Sequence, residues 1–213
     1  MESRLRDIRS KRNPKARIKI AEGHFATNHS HINIYIDMST VKCRHNNARE
    51  TAKELASKYI NTISIDTIVC MDGTEMIGAY MAEVLADNSV MSINRGKNIS
   101  VVTPEFNKMG QMIFRDNTQR MIKNMQVLLL VASATTGKTI DRAIECIEYY
   151  EGSTCGISAI FSAARTISGI EVNTIFTADE LPEYRAYSSH DCPMCRQGKR
   201  IEAIVNSYGY SKL

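Results

Sequence analysis

The chain has 213 residues, of which 43% are hydrophobic, and a formal net charge of +4. That size allows one substantial hydrophobic core, and no Pro- or Ser-rich linker separates a second one. No apolar stretch approaches the length of a membrane span, and no signal segment follows the basic start, so we expect a cytoplasmic protein with no membrane partner. The six cysteines fit that compartment, because four of them are scattered among apolar or helical neighbours.

Basic side chains are concentrated before residue 20. We interpret residues 1–20 as a basic helical arm that is broken near Pro14, because a proline ring cannot continue a helix without a kink. Such a run is more often a solvated amphipathic helix than a nucleic-acid-binding segment, so no nucleic-acid partner is expected. Residues 21–213 are then interpreted as a single domain.

The next segments alternate between strand and helix patterns. Ile32, Ile34 and Ile36 alternate with polar residues, which predicts a half-buried strand. Residues 46–60 have the apolar spacing of an amphipathic helix. The short apolar run at residues 66–70 then predicts a core strand. We therefore expect an α/β domain.

The longest apolar run, Val127 to Val131, predicts a strand buried on both faces of a parallel sheet, and residues 139–151 predict the helix that follows. A small, hydroxyl-rich loop joins them and runs into the helix: Ser133, Ala134, Thr135, Thr136, Gly137, Lys138 and Thr139. Amides at a helix N terminus, with hydroxyls and a lysine beside them, favour phosphate. Two alternatives stay open: Thr residues that only cap the helix, and a nucleoside-triphosphatase P-loop at residues 132–139, which lies unusually late in the chain.

A second polar loop follows the strand predicted at residues 66–70. It contains Asp72, Gly73, Thr74 and Glu75, and Glu75 begins the next predicted helix. Because ligands bind outside the carboxyl ends of the strands in an open α/β sheet, we expect both loops at one edge, where they could hold a diphosphate. Further strands are predicted at residues 89–93, 156–161 and 169–176.

The tail carries a C-x-x-C motif, Cys192 to Cys195, with His190 two positions before it. These three residues could be ligands of a zinc ion. A structural zinc site needs four ligands, however, and neither a second C-x-x-C nor an H-x-x-x-H motif is present. The sequence favours a tail that packs on the domain with reduced thiols, and zinc stays an open alternative.

Taken together, these motifs resemble the type I phosphoribosyltransferases, most closely the orotate phosphoribosyltransferases. Residues 127–139 resemble the family's apolar strand followed by T-T-G-x-T, and residues 22–39 look like its hood element, G-x-F with a spacer before a strand. Residues 66–86 are similar to its pyrophosphate loop and following helix. Residues 192–198 look like the C-P-L-C motif and basic stretch that end one bacterial and archaeal branch.

The resemblance implies a type I phosphoribosyltransferase-like parallel sheet flanked by helices, with a small hood made of residues 21–45 and the tail 182–213. It implies transfer of ribose 5-phosphate from phosphoribosyl diphosphate (PRPP), with Mg²⁺, to a pyrimidine-type base in pyrimidine nucleotide biosynthesis. The hydroxyl-rich loop would hold the 5-phosphate of PRPP or of a nucleoside 5′-monophosphate, and residues 72–75 would bracket the diphosphate and Mg²⁺. A homodimer is implied as well.

The resemblance also implies roles for particular side chains. Basic residues would neutralise the diphosphate, and the last two would be catalytic: Arg95, Lys97 and Lys108. Residues 98–110, which contain Lys108, would form the mobile lid. Four positions would contact the base: Phe25, Asn28, His29 and Arg165.

Two departures from the family pattern keep a second hypothesis open. Val131 and Ala132 stand where the family has two adjacent acidic residues, and Ser162 and Ala163 stand where it has Asp-Arg. Loss of one charge-stabilising group commonly costs about 10²–10³ in rate. The alternative function is therefore a non-catalytic PRPP- or nucleotide-binding regulatory protein of the same fold.

Overall fold

The computed structural model of the chain describes residues 2–87, 92–135, 137–181 and 183–213. In these residues the strands, in chain order, are β1 (Arg6–Arg9), β2 (Arg17–Ala26), β3 (His31–Asp37), β4 (Thr67–Cys70), β5 (Ser100–Val102), β6 (Glu105–Phe106), β7 (Met112–Ile113), β8 (Gln126–Ala134), β9 (Ser153–Ser162), β10 (Thr166–Ile167), β11 (Ile170–Thr177), β12 (Ala186–Tyr187), β13 (Ala203–Asn206) and β14 (Gly209–Lys212). The α-helices are α1 (Ser39–Cys43), α2 (His45–Ala56), α3 (Glu75–Ala86), α4 (Asp116–Gln119), α5 (Lys138–Tyr149) and α6 (Pro193–Arg196). None of the helices in these ranges is long and apolar enough to cross a bilayer.

A parallel sheet lies at the centre of the molecule, with strand order β10-β11-β9-β8-β4-β5, and only the edge strand β10 is antiparallel to its neighbour. The chain passes from β4 outward to β5 and later returns to β8 on the other side of β4. The strand order therefore reverses between β4 and β8, and in sheets of this kind ligands bind at that point, outside the carboxyl ends of the strands.

Alternating side chains of the central strands enter two hydrophobic clusters, one on each face of the sheet. Leu128 and Leu130 pack in the first cluster with Leu55 of α2 and Ile77 of α3. Val127, Leu129 and Val131 pack in the second cluster, which α5 covers. Both faces of β8 are therefore buried, as its uninterrupted apolar run predicts.

A second sheet covers the first cluster and forms the hood, with strand order β12-β3-β2-β13-β14 and with β1 also paired to β2. Its inward side chains include Ile18 and Ile20 of β2, Ile34 of β3 and Val205 of β13, and all of them join the first cluster. The hood is thus built from both ends of the chain and packs directly on the central sheet.

Several predicted elements are confirmed. The helices predicted to begin at residues 46, 75 and 139 begin at His45, Glu75 and Lys138. The strands predicted at residues 66–70 and 127–131 appear as β4 and β8, and those predicted at residues 156–161 and 169–176 appear as β9 and β11. The alternating segment at residues 32–36 appears as β3. Tyr35, which the alternation places on the face opposite the isoleucines, is buried as well.

The helical arm predicted at residues 1–20 is wrong. The described part of that segment begins with a short 3-10 turn and continues as β1, which pairs with β2 in an antiparallel hairpin. Pro14 lies in the connecting turn, where Ser10 N–H donates to the Ala16 carbonyl at 2.9 Å. The basic residues alternate with buried Ile18 and Ile20, and this period of two is the period of a strand and not of a helix.

The strand predicted at residues 89–93 is not found where the structure can test it. Residues 88–91 lie outside the described ranges, and residues 93–96 form a turn. The strand beside β4 is β5, which lies in the segment interpreted as the mobile lid. Most of the remaining lid segment forms the β6–β7 hairpin, with Glu105 opposite Ile113.

Candidate phosphate-binding site

A cavity of about 250 Å³ opens at the carboxyl ends of β4 and β8, between the central sheet and the hood. Its walls come from the β8–α5 loop, the loop after β4, the β2–β3 turn, and the β13–β14 turn. The described residues that line it include Asn28, His29, Tyr35, Asp72, Val131, Ser133, Ala134, Thr135, Gly137, Thr139, Phe161, Tyr184, Asn206 and Ser207. The structure thus brings the hydroxyl-rich loop, Asp72 and the predicted hood turn to one place.

The N terminus of α5 faces this cavity. Thr135, Gly137 and Thr139 line the wall, Thr135 and Thr139 are exposed, and no described side chain caps the first turn of the helix. Uncapped amide groups at the start of a 12-residue helix carry a partial positive charge and bind anions. Thr136, also predicted in this loop, lies outside the described residues. Lys138 is exposed and is not among the lining residues.

The turn into α5 depends on Gly137. This residue has φ of +77°, in the left-handed region, and a Cβ atom at this position would lie 3.2 Å from Cγ2 of Ile167. Both the backbone conformation and the packing therefore favour glycine. Asp141 N–H donates to the Gly137 carbonyl at 2.8 Å, which begins the helix directly after the loop.

The loop after β4 is a tight turn with two successive left-handed residues, Asp72 at φ of 59° and Gly73 at φ of 77°. A left-handed aspartate is uncommon, and such conformations concentrate at functional sites. Thr74 is fully buried, and its hydroxyl donates to the Met71 carbonyl at 2.8 Å. Thr74 therefore holds the turn and does not face a ligand, while Asp72 contributes to the cavity wall.

A buried lysine, Lys42, stands behind this loop and was not predicted as a site residue. Its ammonium group donates to the Asp72 carbonyl at 2.8 Å and to the Ser207 carbonyl, so it joins the β4 loop to the tail. Burial raises the pKa of Asp72, although Lys42 and the Ala132 N–H favour the carboxylate. Burial also lowers the pKa of Lys42, against the attraction of Asp72. The pair places a partly desolvated carboxylate at the cavity.

The turn between β2 and β3 closes the cavity from the hood side. Thr27 Oγ1 accepts hydrogen bonds from the N–H groups of His29 at 3.2 Å and Ser30 at 2.9 Å. Asn28 and His29 are exposed at the tip and line the cavity. The hood turn therefore lies at the cavity, and its contact with a base stays a prediction.

Three aromatic side chains and the last hairpin complete the wall, and sequence reasoning missed all of them. Phe161 and Tyr184 form an edge-to-face pair with ring centroids 5.1 Å apart, and Tyr35 also lines the cavity. Asn206 and Ser207 come from the β13–β14 turn. The alternation around the polar residues 206–209 is a hairpin signal that could have located this turn.

Several predicted site residues lie elsewhere. Lys97 donates to Asp66 Oδ1 at 2.6 Å, and Asp66 precedes β4, so Lys97 lies at the amino end of the sheet, opposite the cavity. Arg95 is exposed in the turn at residues 93–96, before β5 rather than after it. Both residues lie away from the cavity because the edge strand beside β4 is β5, which comes later in the chain than the strand predicted at residues 89–93.

The other displaced residues have local partners. Phe25 is fully buried and packs against Tyr35, so it belongs to the core and not to the cavity. The Arg165 side chain is 94% exposed and lies 3.4 Å from Asp179 Oδ2. Glu75 is exposed and accepts a hydrogen bond from Thr103 at 3.2 Å. Lys108 is exposed at the tip of the β6–β7 hairpin. None of these four lines the cavity in the described structure.

The two positions where carboxylates were expected by resemblance are apolar and buried. Val131 lines the cavity, and Ala132 points into the first hydrophobic cluster. Asp72 lies in the loop after the neighbouring strand and lines the same cavity. An acidic group therefore stands beside the altered positions, although it comes from a different strand.

The fold is similar to solved phosphoribosyltransferase structures. UMP synthase from Leishmania donovani has a TM-score of 0.55 at 16% identity, over 76% of this chain and 34% of that chain. Adenine phosphoribosyltransferase from Trypanosoma brucei, in complex with AMP, pyrophosphate and ribose-5-phosphate, has a TM-score of 0.54 at 14% identity, over 83% and 80%. A phosphoribosyltransferase from Corynebacterium diphtheriae has a TM-score of 0.52 at 14% identity, over 76% and 90%.

These similarities define the fold as that of the type I phosphoribosyltransferases, a parallel-rich sheet flanked by helices. The chain spans about a third of the length of the UMP synthase that it matches. The sequence matches no protein-family model and no curated protein.

Proposed function

We propose that the protein is a phosphoribosyltransferase that binds PRPP in the cavity and transfers ribose 5-phosphate to a pyrimidine-type base. The observation that carries this proposal is the N terminus of α5, which no described side chain caps and which opens into the same cavity as Asp72 and the aromatic wall. An anion site, a carboxylate and aromatic surface within one cavity match the phosphate, ribose and base of such a ligand.

In this proposal each wall of the cavity serves one part of the ligand. The amides and hydroxyls of residues 135–139 hold the 5-phosphate, as at other helix N termini that bind phosphate. A ring nitrogen of the base forms the new bond to C1 of the ribose. The bond from C1 to the diphosphate oxygen breaks, its electron pair leaves with the diphosphate, and the base loses its proton to solvent. The carboxylate of Asp72 stabilises the positive charge that develops on the ribose.

The residues present fit Mg²⁺ bound together with PRPP. Mg²⁺ is usually held by one or two carboxylates, water and the phosphates of the substrate, and Asp72 provides a carboxylate at the cavity. When bound, the ion would neutralise charge on the departing diphosphate. Lys42 keeps the Asp72 loop in place through its bond to the main chain and leaves the carboxylate available.

The base is proposed to lie against Tyr35, Phe161 and Tyr184, with Asn28 and His29 above it. Aromatic rings supply a flat apolar surface, and the amide and imidazole groups can exchange hydrogen bonds with the edge of a base. The choice of a pyrimidine-type base rests on the resemblance of residues 22–39 and 192–198 to orotate phosphoribosyltransferases.

A specific observation supports a second candidate, a non-catalytic nucleotide-binding protein. Among the lining residues that the structure describes, none is Lys or Arg, and Val131 occupies one of the two expected acidic positions. A diphosphate attracts cationic side chains, whereas a helix N terminus suffices for a single phosphate. In this candidate a nucleoside 5′-monophosphate occupies the cavity and is not turned over.

Calorimetry and turnover assays separate these candidates. The chain would be titrated with PRPP and Mg²⁺, with UMP and with ATP, and diphosphate release would be followed with orotate, uracil or adenine. We expect PRPP binding and turnover with a pyrimidine-type base. Asp72→Asn should reduce turnover about 10²-fold or more. Asp179→Asn, at an exposed position outside the cavity, is the matched control and should not.

The outcomes are distinct. Tight UMP binding without PRPP turnover would replace the enzyme by the nucleotide-binding candidate. ATP binding with hydrolysis would support the P-loop reading of residues 132–139. No binding of any phosphate ligand would reject the site.

A further inference from the structure

Four side chains from distant parts of the sequence meet at the outer end of the hood. His24 belongs to β2 and His31 to β3. Cys192 directly precedes the short helix α6, and Cys195 lies within it. One ligand atom from each, a ring nitrogen or a thiol sulfur, lies within 4.8 Å of every other. The tail motif therefore finds two histidines as partners, and neither is His190, which is exposed and outside the cluster.

The distances match the edges of a metal tetrahedron. His24 Nε2 lies 3.1 Å from His31 Nδ1. Cys192 Sγ lies 3.6 Å and Cys195 Sγ 3.7 Å from His24 Nε2, and Cys195 Sγ lies 3.3 Å from His31 Nδ1. With Zn–N of about 2.05 Å and Zn–S of about 2.3 Å, a tetrahedral site has edges of roughly 3.3 Å between nitrogens and roughly 3.6 Å between nitrogen and sulfur.

The surroundings of His24 are those of a metal ligand. Its other ring nitrogen, Nδ1, lies 2.8 Å from the Lys199 carbonyl oxygen, which can only accept a hydrogen bond. Nδ1 therefore carries the hydrogen, and the lone pair of Nε2 points into the cluster. Ligating histidines usually make this kind of second hydrogen bond, which fixes the tautomer and the ring orientation.

The conformation of the tail brings the sulfur atoms of Cys192 and Cys195 close to the same atom, His24 Nε2. Pro193 occupies the first turn of α6, and the N–H groups of Gly198 and Lys199 donate to the carbonyls of Cys195 at 2.9 Å and Met194 at 3.0 Å. Gly198 has φ of +70°, which allows the chain to turn back under the motif. Two cysteines at this spacing on a tight turn are a usual half of a structural zinc site.

Burial adds a further argument. His24 is 2% exposed and Cys192 is 1% exposed, so both polar groups are removed from water. A thiol is only a weak hydrogen-bond donor, so contacts among these groups compensate poorly for that loss. Coordination to one cation would satisfy all four side chains together.

We infer that His24, His31, Cys192 and Cys195 bind a structural Zn²⁺ ion. Two thiolates and two imidazoles are the ligand set that zinc prefers, and all four positions of a tetrahedron are filled by protein, so no open position is left for catalysis. On binding, the two thiols release their protons to solvent. The ion joins the tail to the β2–β3 hairpin, whose turn lines the cavity, and therefore holds Asn28 and His29 over the ligand.

Metal analysis of the full chain tests this inference directly. Protein purified under reducing conditions without chelators should contain one zinc ion per chain. Cys195→Ser and His31→Ala should reduce the zinc content to near zero. Cys43→Ser and His190→Ala are matched controls, because these residues are exposed and outside the cluster, and they should retain zinc. Equal zinc content in the wild type and Cys195→Ser would overturn the inference.

Cobalt substitution of the wild-type protein gives a test that does not depend on the folding of variants. Co²⁺ in this site should show the strong visible bands of tetrahedral geometry and a sulfur-to-cobalt charge-transfer band. Weak octahedral bands would overturn the inference, as would a Cys192–Cys195 disulfide in protein kept under reducing conditions. Both measurements are made without nucleotide, so they are independent of whether PRPP is turned over.

Discussion

Gly137 determines how the chain enters α5 at the candidate phosphate site. Its φ of +77° is unfavourable for residues with a Cβ atom, and Ile167 leaves only 3.2 Å for that atom. We expect Gly137→Ala to destabilise the fold by about 1–2 kcal/mol and to weaken phosphate-ligand binding, because the amides of the loop must shift. Urea denaturation and calorimetry with UMP would measure the two effects.

Gly110→Ala is the matched control for that substitution. Gly110 has nearly the same backbone angle, φ of +75°, but it lies at the β6–β7 turn with open space around it. It should lose stability to a similar or smaller extent and bind the ligand as the wild type does. If both substitutions weaken binding equally, the loop at Gly137 does not hold the phosphate.

Tyr59 is among the largest fully buried side chains of the described residues, and its hydroxyl group joins the turn after α2 to β9. That group donates to the Ile157 carbonyl at 3.2 Å or exchanges a hydrogen bond with Ser158 Oγ at 3.0 Å. Burial raises the pKa of Tyr59 to about 12, so the hydroxyl stays protonated at neutral pH. Tyr59→Phe should cost about 0.5–1.5 kcal/mol in urea denaturation, whereas Tyr149→Phe, at an exposed position, should cost nothing measurable.

At the scale of single residues, the sequence was informative where a local pattern carries the chemistry. Thr135, Gly137 and Thr139 are close in sequence and lie at the cavity together. The predicted contacts of Lys97 and Arg165 with the ligand are not found, because the positions of these residues depend on the spatial order of the strands, which has no local sequence signal. Lys42, which holds the Asp72 loop, carries no local signal, because its partners are 30 and 165 residues away.

Where the β1–β2 hairpin meets α2, a buried glutamate makes the stability of the fold depend on pH. Glu54 accepts a hydrogen bond from Ser10 at 2.7 Å and has Arg12 at 3.5 Å, while its second oxygen has no hydrogen-bond partner in the described structure. Burial raises the pKa of Glu54 above its ordinary value, and nearby Glu180 acts in the same direction. The folded state therefore binds this proton more tightly than the unfolded chain does.

The raised pKa of Glu54 determines how the stability of the fold changes with pH. As pH falls from neutral through the raised pKa of Glu54 towards the ordinary glutamate pKa, this group should increase the free energy of unfolding. Glu54→Gln should remove that contribution and be at least as stable as the wild type at neutral pH. Urea denaturation between these pH values measures it, with exposed Glu83→Gln as the control. An unchanged pH dependence in Glu54→Gln would contradict the assignment.

The elements themselves were predictable where one period dominates a long segment. The runs that became β8 and α5 have clean apolar patterns, and their predicted starts agree with the structure to within one residue. The helix predicted in the first 20 residues is wrong because charge density does not distinguish a helix from a strand, whereas Ile18 and Ile20 alternate with Arg17 and Lys19 as in a strand. The three-residue strand β5 is too short for any periodicity to identify it.

The two large sheets of the described chain share one hydrophobic cluster. Ile34 of the hood, Leu55 of α2 and Leu128 of the central sheet all belong to that cluster. We therefore expect the hood and the central sheet to unfold together. Hydrogen exchange under increasing urea should give β3 and β8 amides the same dependence on denaturant. Earlier opening of β3 would show that the hood is a separate unit.

Ile34→Ala tests the same expectation by mutation. This side chain is 2% exposed, and its removal should cost about 2–5 kcal/mol. If the two sheets are one cooperative unit, protection of β8 amides should fall by the same amount. At this scale the sequence predicted the α/β class, and the resemblance implied a hood that includes the tail. The pairing of β13 with β2 was not predicted, because it joins residues that are more than 170 positions apart, Ala203 and Phe25.

The position of the last hairpin determines when the cavity can be completed during synthesis. Asn206 and Ser207 close one side of the cavity, and β13 completes the hood against β2. Of the lining residues, these leave the ribosome last, so the cavity wall is incomplete until residue 207 has emerged from the exit tunnel. If the cavity binds a nucleotide as proposed, we expect the ligand to be enclosed only after that point.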